Sequence, residues 1–336
     1  MTAYSTISGF GHAVPPAILD NSEIEARTDI SNDWIVSRTG IKQRHILGPD
    51  QTGTDLALEA TRLALARAGR EARDISHIVY ATCTPDACCP SAACTLGGKL
   101  GLTGIMALDI NAACAGFVNG LEVADALALR RPEACVLLVA AECLSHRCNW
   151  EDRTTAVLFG DGAAAVLISG KDNAPQALTG SPSGKVRDVM LGSDGSKGDL
   201  LLISGGFSAS PYRLGEAVGP EYFIRMQGSL VFKHAVRRMT ECCRDLLERN
   251  GLESGDVDLF VPHQANLRII EAVGERLEIP GERVFLNVEK YGNTSAASIP
   301  LALGEAVDQG RLRSGMRALL TSFGGGLTWG AALLEF

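Results

Sequence analysis

The chain has 336 residues, 46% hydrophobic and 21% charged, with a formal net charge of −8. That composition can fill one large core or two smaller ones. An acidic chain with 5% aromatics lacks the basic footprint of a nucleic-acid binder, and with no positive charge before Arg27 and no long apolar opening run it reads as cytoplasmic rather than secreted.

The first strong pattern is LARAGREARDISHIVYAT (65–82). Its helical spacing ends at Gly69, which suits a helix C-terminus, and a short β-branched run follows as a buried strand. Cys83, Cys88, Cys89 and Cys94 come next; they lack C-x2-C spacing and contain no His, so no metal site is expected. The ten cysteines are expected to be reduced thiols. Ala107–Ile110 ends a strand, small residues surround Cys114, and from Phe117 the apolar spacing is helical. Cys114 therefore sits at a strand-to-helix turn, near a helix N-terminus whose free N–H groups and dipole favour an anion. That position is expected to lower the thiol pKa by roughly one to several units; the bland alternative is a small buried hydrophobe. The most apolar stretch, Ala134 to Leu144, is broken by Glu142 and is too short to span a bilayer. FGDGAAAVLIS closes this half, and residues about 170–220 read as a Gly-, Ser- and Pro-rich connection and surface loop.

The rest of the chain repeats this order at a constant offset. LARAGREARDISHIVYAT meets LERNGLESGDVDLFVPHQ (247 − 65 = 182), NAACAGFVNGLEVADAL meets NTSAASIPLALGEAVDQ, and ACVLLVA meets MRALLTS, all at the same shift. Strands alternating with helices imply α/β units, in two halves, 1–172 and 173–336, packed about a pseudo-twofold axis. Equivalent turns would then face one central region and bring Cys114 together with His263, at a strand end, and Asn293, which falls on Asn111. The triple glycine of SFGGGLTWG (322–330) suits a special backbone path, such as one aiming an amide at a carbonyl oxygen, or a tight loop with positive φ.

Seven segments, DWIVSRTGIKQRHI (33–46), PSAAC (90–94), AACAGF (112–117), FGDGAAA (159–165), VPHQANLRII (261–270), YGNTSAAS (291–298) and FGGGLTWG (323–330), resemble β-ketoacyl-acyl-carrier-protein synthase III, a condensing-enzyme family. The resemblance implies a thiolase-like α/β fold of duplicated halves in an αβαβα layering, and a homodimer. It implies an acyl-CoA primer, malonyl-acyl carrier protein as second substrate, and no metal or redox cofactor. The family's catalytic set falls on Cys114, His263 and Asn293, its oxyanion amides on Cys114 and Gly325, and its coenzyme A contacts on Trp34, Arg38, Arg153 and Asn266. Lys233, Arg268 and Arg276 match its carrier-protein patch. Its acyl-gating position, often aromatic and reaching into the partner's tunnel, is Cys89 here, which would admit a longer or branched primer unless neighbours fill the space. The insertion around 204–220 would reshape the entrance. A starter-unit enzyme of secondary metabolism and a non-catalytic partner subunit are the competing readings; the retained Cys114 speaks against the latter.

Overall fold

The computed structural model describes residues 4–173 and 182–336; positions 1–3 of the opening segment and 174–181 of the connecting stretch lie outside the described residues. Strand β1 (Thr6–Ala13) is followed by the hairpin strands β2 (Ala17–Asp20) and β3 (Gln43–Ile46), with helices α1 (Asn21–Thr28) and α2 (Asn32–Thr39) between them. Then come α3 (Gly53–Ala68), β4 (His77–Ala81), α4 (Ala92–Lys99), β5 (Met106–Ile110), α5 (Gly116–Arg130), β6 (Cys135–Cys143) and β7 (Asp161–Ser169). The second half holds β8 (Gly184–Ser193), the short pair β9 (Leu201–Leu202) and β10 (Arg225–Met226), α6 (Gly228–Arg249), β11 (Leu259–Pro262), α7 (Leu267–Arg276), α8 (Val288–Tyr291), α9 (Ser298–Asp308), β12 (Arg317–Gly324) and β13 (Thr328–Glu335).

Nine strands hydrogen-bond in the order β11-β12-β13-β8-β1-β7-β6-β4-β5. The two halves meet where β1 pairs antiparallel with β8, Thr6 opposite Lys185 and Ile7 opposite Gly184. β4, β5 and β6 run parallel, as do β11 and β12. Because strand side chains alternate between faces, each half presents two apolar surfaces. Val136, Leu138 and Ala140 of β6, with Ala318 and Leu320 of β12, join Phe117, Leu121, Ile299 and Leu303 in one core around α5 and α9. The intervening Leu137 and Val139 pack under α3 and α4. Leu319 packs under α6 and α7. Helices therefore cover both outer faces and fill the middle, the expected αβαβα layering.

The offset read from the sequence carries into backbone detail. β4 starts at His77 and β11 at Leu259, α5 at Gly116 and α9 at Ser298, β6 at Cys135 and β12 at Arg317. Each central helix is preceded by a single 3₁₀ turn, Ala113–Ala115 and Ser295–Ala297, whose first residue has a left-handed φ, 46° at Ala113 and 50° at Ser295. Few non-glycine residues adopt that conformation. An Asn two residues earlier supports each: the Ala113 N–H donates to Asn111 Oδ1 at 3.1 Å and the Ser295 N–H to Asn293 Oδ1 at 2.9 Å. The turns pack against each other, so a Cβ on Gly116 would lie 3.1 Å from the Ala296 methyl. All ten cysteines are unbonded, and among the described residues no helix is long and apolar enough to cross a membrane.

Candidate active site

Parallel strands end on one side of the molecule, where open α/β sheets commonly bind ligands. β5 ends one residue before Asn111, β11 one residue before His263, and β12 at Gly324. Cys114 sits in the turn leading into α5 and is buried. Gly324 lies flat against this turn; a Cβ there would be 2.6 Å from the Cys114 nitrogen and 3.1 Å from that of Ala115. Burial pushes the Cys114 thiol up to about 12; the Ser295 hydroxyl, as a hydrogen-bond partner, pulls the other way, and the Glu142 carboxyl adds to the rise. This corrects the expectation of a lowered pKa: desolvation of the buried sulfur outweighs a nearby helix N-terminus. In the resting protein Cys114 is a thiol.

His263 follows β11 and is 2% exposed. Its N–H donates to the Thr321 carbonyl at 2.7 Å, and its Nδ1 lies 2.6 Å from Ser298 Oγ. Ser298 Oγ also receives the Gln264 N–H at 3.4 Å, leaving the serine hydrogen free to point at Nδ1. With the serine hydrogen on Nδ1 the ring is the Nε2–H tautomer, and His263 lines the cleft. Desolvation lowers the His263 pKa to about 3, so the imidazole is neutral throughout the physiological range.

Asn293 is pinned from three directions. Its N–H donates to the Leu158 carbonyl at 2.9 Å, its carbonyl accepts from Gly160 at 3.1 Å, and its Oδ1 is taken by the Ser295 N–H. Nδ2 is the polar atom left for the cleft, an N–H donor at any pH.

These three residues share the floor of a cleft of about 700 Å³. Trp34, Arg38, Arg153, Asn266 and Arg268 line the same cleft. Trp34 stands exposed on α2 with the Arg38 guanidinium 5.9 Å from its ring centre. Asn266 also caps α7, its Oδ1 accepting from the Ile269 N–H at 3.0 Å. Arg268 lies over the Phe232 ring, 5.6 Å from its centre, with Lys233 next in sequence on α6. Arg276 is exposed near the far end of α7 and does not line the cleft.

A smaller, mainly apolar recess of about 310 Å³ also borders Cys114 and is lined by Cys83, Leu144, Leu202, Ile203, Phe207, Ile224, Gly325 and Gly326. Gly325 lines this recess together with Cys114. Cys89 is exposed and lies outside the recess of its own chain. Phe207 of the insertion lines this recess, whereas no residue of 204–220 lines the larger cleft. Sequence reasoning missed Ser298 and Ser295 as partners, although both stood in the quoted segment YGNTSAAS. It met Glu142 only as an interruption of an apolar run, yet Glu142 is wholly buried behind the thiol, its Oε1 2.9 Å from Ser295 Oγ.

Comparison with known proteins identifies the family. Residues 108–195 match the family model described as 3-oxoacyl-(acyl-carrier-protein (ACP)) synthase III, and residues 247–336 match the model of its C-terminal part. The chain is 58% identical over 336 residues to a beta-ketoacyl-(acyl-carrier-protein) synthase III of Nitratidesulfovibrio vulgaris, covering 100% of both chains. It is 54% identical to one from Oleidesulfovibrio alaskensis over 335 residues, again covering 100% of both. The crystal structure of 3-oxoacyl-(acyl-carrier-protein) synthase III from Aquifex aeolicus superposes with a TM-score of 0.87 at 41% identity, over 99% of this chain and 100% of that one.

Proposed function

Because the chain belongs to the 3-oxoacyl-(acyl-carrier-protein) synthase III family, we propose that Cys114, His263 and Asn293 carry out its reaction. The enzyme is an acyltransferase with a thiolase-like fold that condenses an acyl-CoA with malonyl-acyl carrier protein, initiating fatty-acid synthesis. What supports the residue assignment is that one buried thiol and two fixed, charge-neutral N–H donors meet at the floor of a single cleft.

In the first half-reaction the Cys114 sulfur attacks the thioester carbonyl of the acyl-CoA. The tetrahedral oxyanion is held by the N–H groups of Cys114 and Gly325, and coenzyme A leaves as its thiol. In the second, malonyl-acyl carrier protein enters the same cleft. As CO2 departs, the electron pair of the broken C–C bond passes into the thioester enolate, whose oxygen accepts from His263 Nε2–H and Asn293 Nδ2–H. Such preorganised donors act strongest where water is excluded. The enolate carbon then attacks the Cys114 thioester, giving β-ketoacyl-acyl carrier protein and the Cys114 thiolate, which takes up a proton to restore the resting thiol. A neutral His263 suits this role.

Trp34 and Arg153 stack on the adenine, Arg38 and Asn266 hold the rest of coenzyme A, and the smaller recess takes the acyl chain. Lys233, Arg268 and Arg276 receive the acidic carrier protein, an attraction that weakens with salt. The enzyme is a cytoplasmic homodimer built on two halves, 1–172 and 173–336. The outer edge of β5, unpaired in a single chain and exposing Met106 and Leu108, is the kind of edge that a second copy covers. Across that interface Cys89 faces the partner's recess, and its small side chain leaves room for a primer longer than acetyl. The test of the assignment is CO2 release from malonyl-acyl carrier protein by His263→Ala and Asn293→Ala: both fall by about 10²-fold or more, and undiminished release in both refutes it.

A further inference from the structure

We propose that Glu142 and Ser295 form a proton relay for acylation, in which Ser295 takes the Cys114 proton while passing its own to Glu142, and the proton returns by the same route to the departing coenzyme A sulfur. This rests on Cys114 being the acyl carrier.

Glu142 is the penultimate residue of β6, wholly buried, in a strand otherwise built of apolar side chains and cysteines. Its hydrogen-bond partners include no Lys or Arg. A buried carboxylate without a cation is costly unless well supplied with donors. Oε2 has them: the Thr82 hydroxyl at 3.1 Å, the Cys83 N–H at 3.0 Å and the Thr84 hydroxyl at 2.7 Å. Both hydroxyls are committed to donating there, because Thr82 Oγ1 itself accepts from the Thr84 N–H and Thr84 Oγ1 from the Cys143 N–H. Oε2 is therefore saturated, and a proton arriving at the carboxyl must sit on Oε1. The Cys83 thiol lies 3.4 Å from each oxygen and adds a weak donor. Oε1 has one strong partner, Ser295 Oγ at 2.9 Å, and Ser295 lines the same recess as Cys114. The left-handed turn at Ser295, held by Asn293 Oδ1, is what places this hydroxyl between the two groups.

Charge conservation explains why such a relay serves a buried thiol. Losing the proton to solvent would create a new buried charge. Passing it to Glu142 moves an existing negative charge from carboxylate to sulfur and leaves the total unchanged. Burial raises the proton affinity of Glu142, which makes it a stronger proton acceptor than an exposed carboxylate. The balance closes: acyl-S-CoA and Cys114–SH give acyl-S-Cys114 and CoA–SH, with Glu142 protonated only while the tetrahedral intermediate lives. There the two sulfurs share one carbon, so Ser295 can serve both.

The experiment uses full-length Ser295→Ala and Glu142→Gln. The amide introduced by Glu142→Gln keeps an oxygen on the three donors at the Oε2 position and turns its NH2 toward Ser295. Acylation of Cys114 is followed by rapid-quench mass spectrometry with acetyl-CoA and octanoyl-CoA, and CO2 release from malonyl-acyl carrier protein is measured on the same preparations. The relay predicts that acylation falls about 10²-fold more than decarboxylation, within the usual range for a general base. A merely structural Glu142 would lower both alike. Equal losses in Ser295→Ala, or acylation at the wild-type rate, overturn the relay. A wild type that forms no Cys114 adduct refutes the nucleophile assignment instead.

Discussion

Asn293→Asp isolates one hydrogen bond with little else disturbed. The side chain keeps its size, and the carboxylate still accepts the Ser295 N–H now received at 2.9 Å by Oδ1. The backbone bonds to Leu158 and Gly160, at 2.9 and 3.1 Å, do not involve the side chain. What disappears is the pair of Nδ2 hydrogens facing the cleft. Removing one donor from a water-excluded oxyanion site typically costs about 10²–10³ in rate, or ~3–4 kcal/mol. The new negative charge beside a developing enolate adds repulsion, so about 10²-fold is the lower bound. The assay is CO2 release from malonyl-acyl carrier protein at pH 8, where the carboxylate is ionised, with acylation of Cys114 measured in parallel. Decarboxylation falls at least 10²-fold while acylation changes by no more than about tenfold. Decarboxylation within tenfold of wild type would refute the role given to Nδ2.

Gly324→Ala would set a methyl 2.6 Å from the Cys114 nitrogen; backbone cannot give way as a side chain does, so acylation drops about 10²-fold with the oxyanion geometry, read as adduct formation on a protein whose circular dichroism is unchanged. Trp34→Ala removes an exposed stacking surface at the cleft mouth and raises KM for acyl-CoA about tenfold with kcat retained, the pattern of uniform binding loss. His263, neutral when folded with a pKa of about 3 against an ordinary 6.5, makes unfolding take up a proton between those values. Its contribution is fully present above pH 6.5 and lost as pH falls toward 3, so between pH 6 and 5 the wild type loses about 1 kcal/mol more than His263→Gln, measured as the difference in denaturant midpoints; equal slopes would contradict a buried neutral imidazole.

The duplicated architecture was legible because the repeat preserves register: the same offset that aligned Asn111 with Asn293 aligns the left-handed Ala113 with Ser295 and the starts of α5 and α9. Cys114 was legible because a run of small residues between strand and helix spacing marks a turn the chain must approach closely. Its protonation was not, since a helix N-terminus can be read from spacing but enclosure by Gly324, His263 and the opposite turn cannot. Glu142 left a trace, a carboxylate in an otherwise apolar strand, but its meaning depends on Ser295, 153 positions away. The recess was hidden for a similar reason: Phe207 comes from a loop with no periodic pattern, and β9 and β10 are two-residue strands. That the two half-sheets join through β1 and β8 rests on two residue pairs, too short a contact to leave a sequence signal.

The central claim is that Cys114 carries the acyl group and that the recess behind it sets which group is carried. The direct measurement is peptide mass spectrometry after brief incubation of the wild-type enzyme with acetyl-, isobutyryl-, hexanoyl- and octanoyl-CoA. The account predicts one acyl adduct, on the peptide containing Cys114, absent from Cys114→Ala and formed with hexanoyl-CoA at least as readily as with acetyl-CoA. An adduct on another cysteine, or none with any of the four, would contradict it.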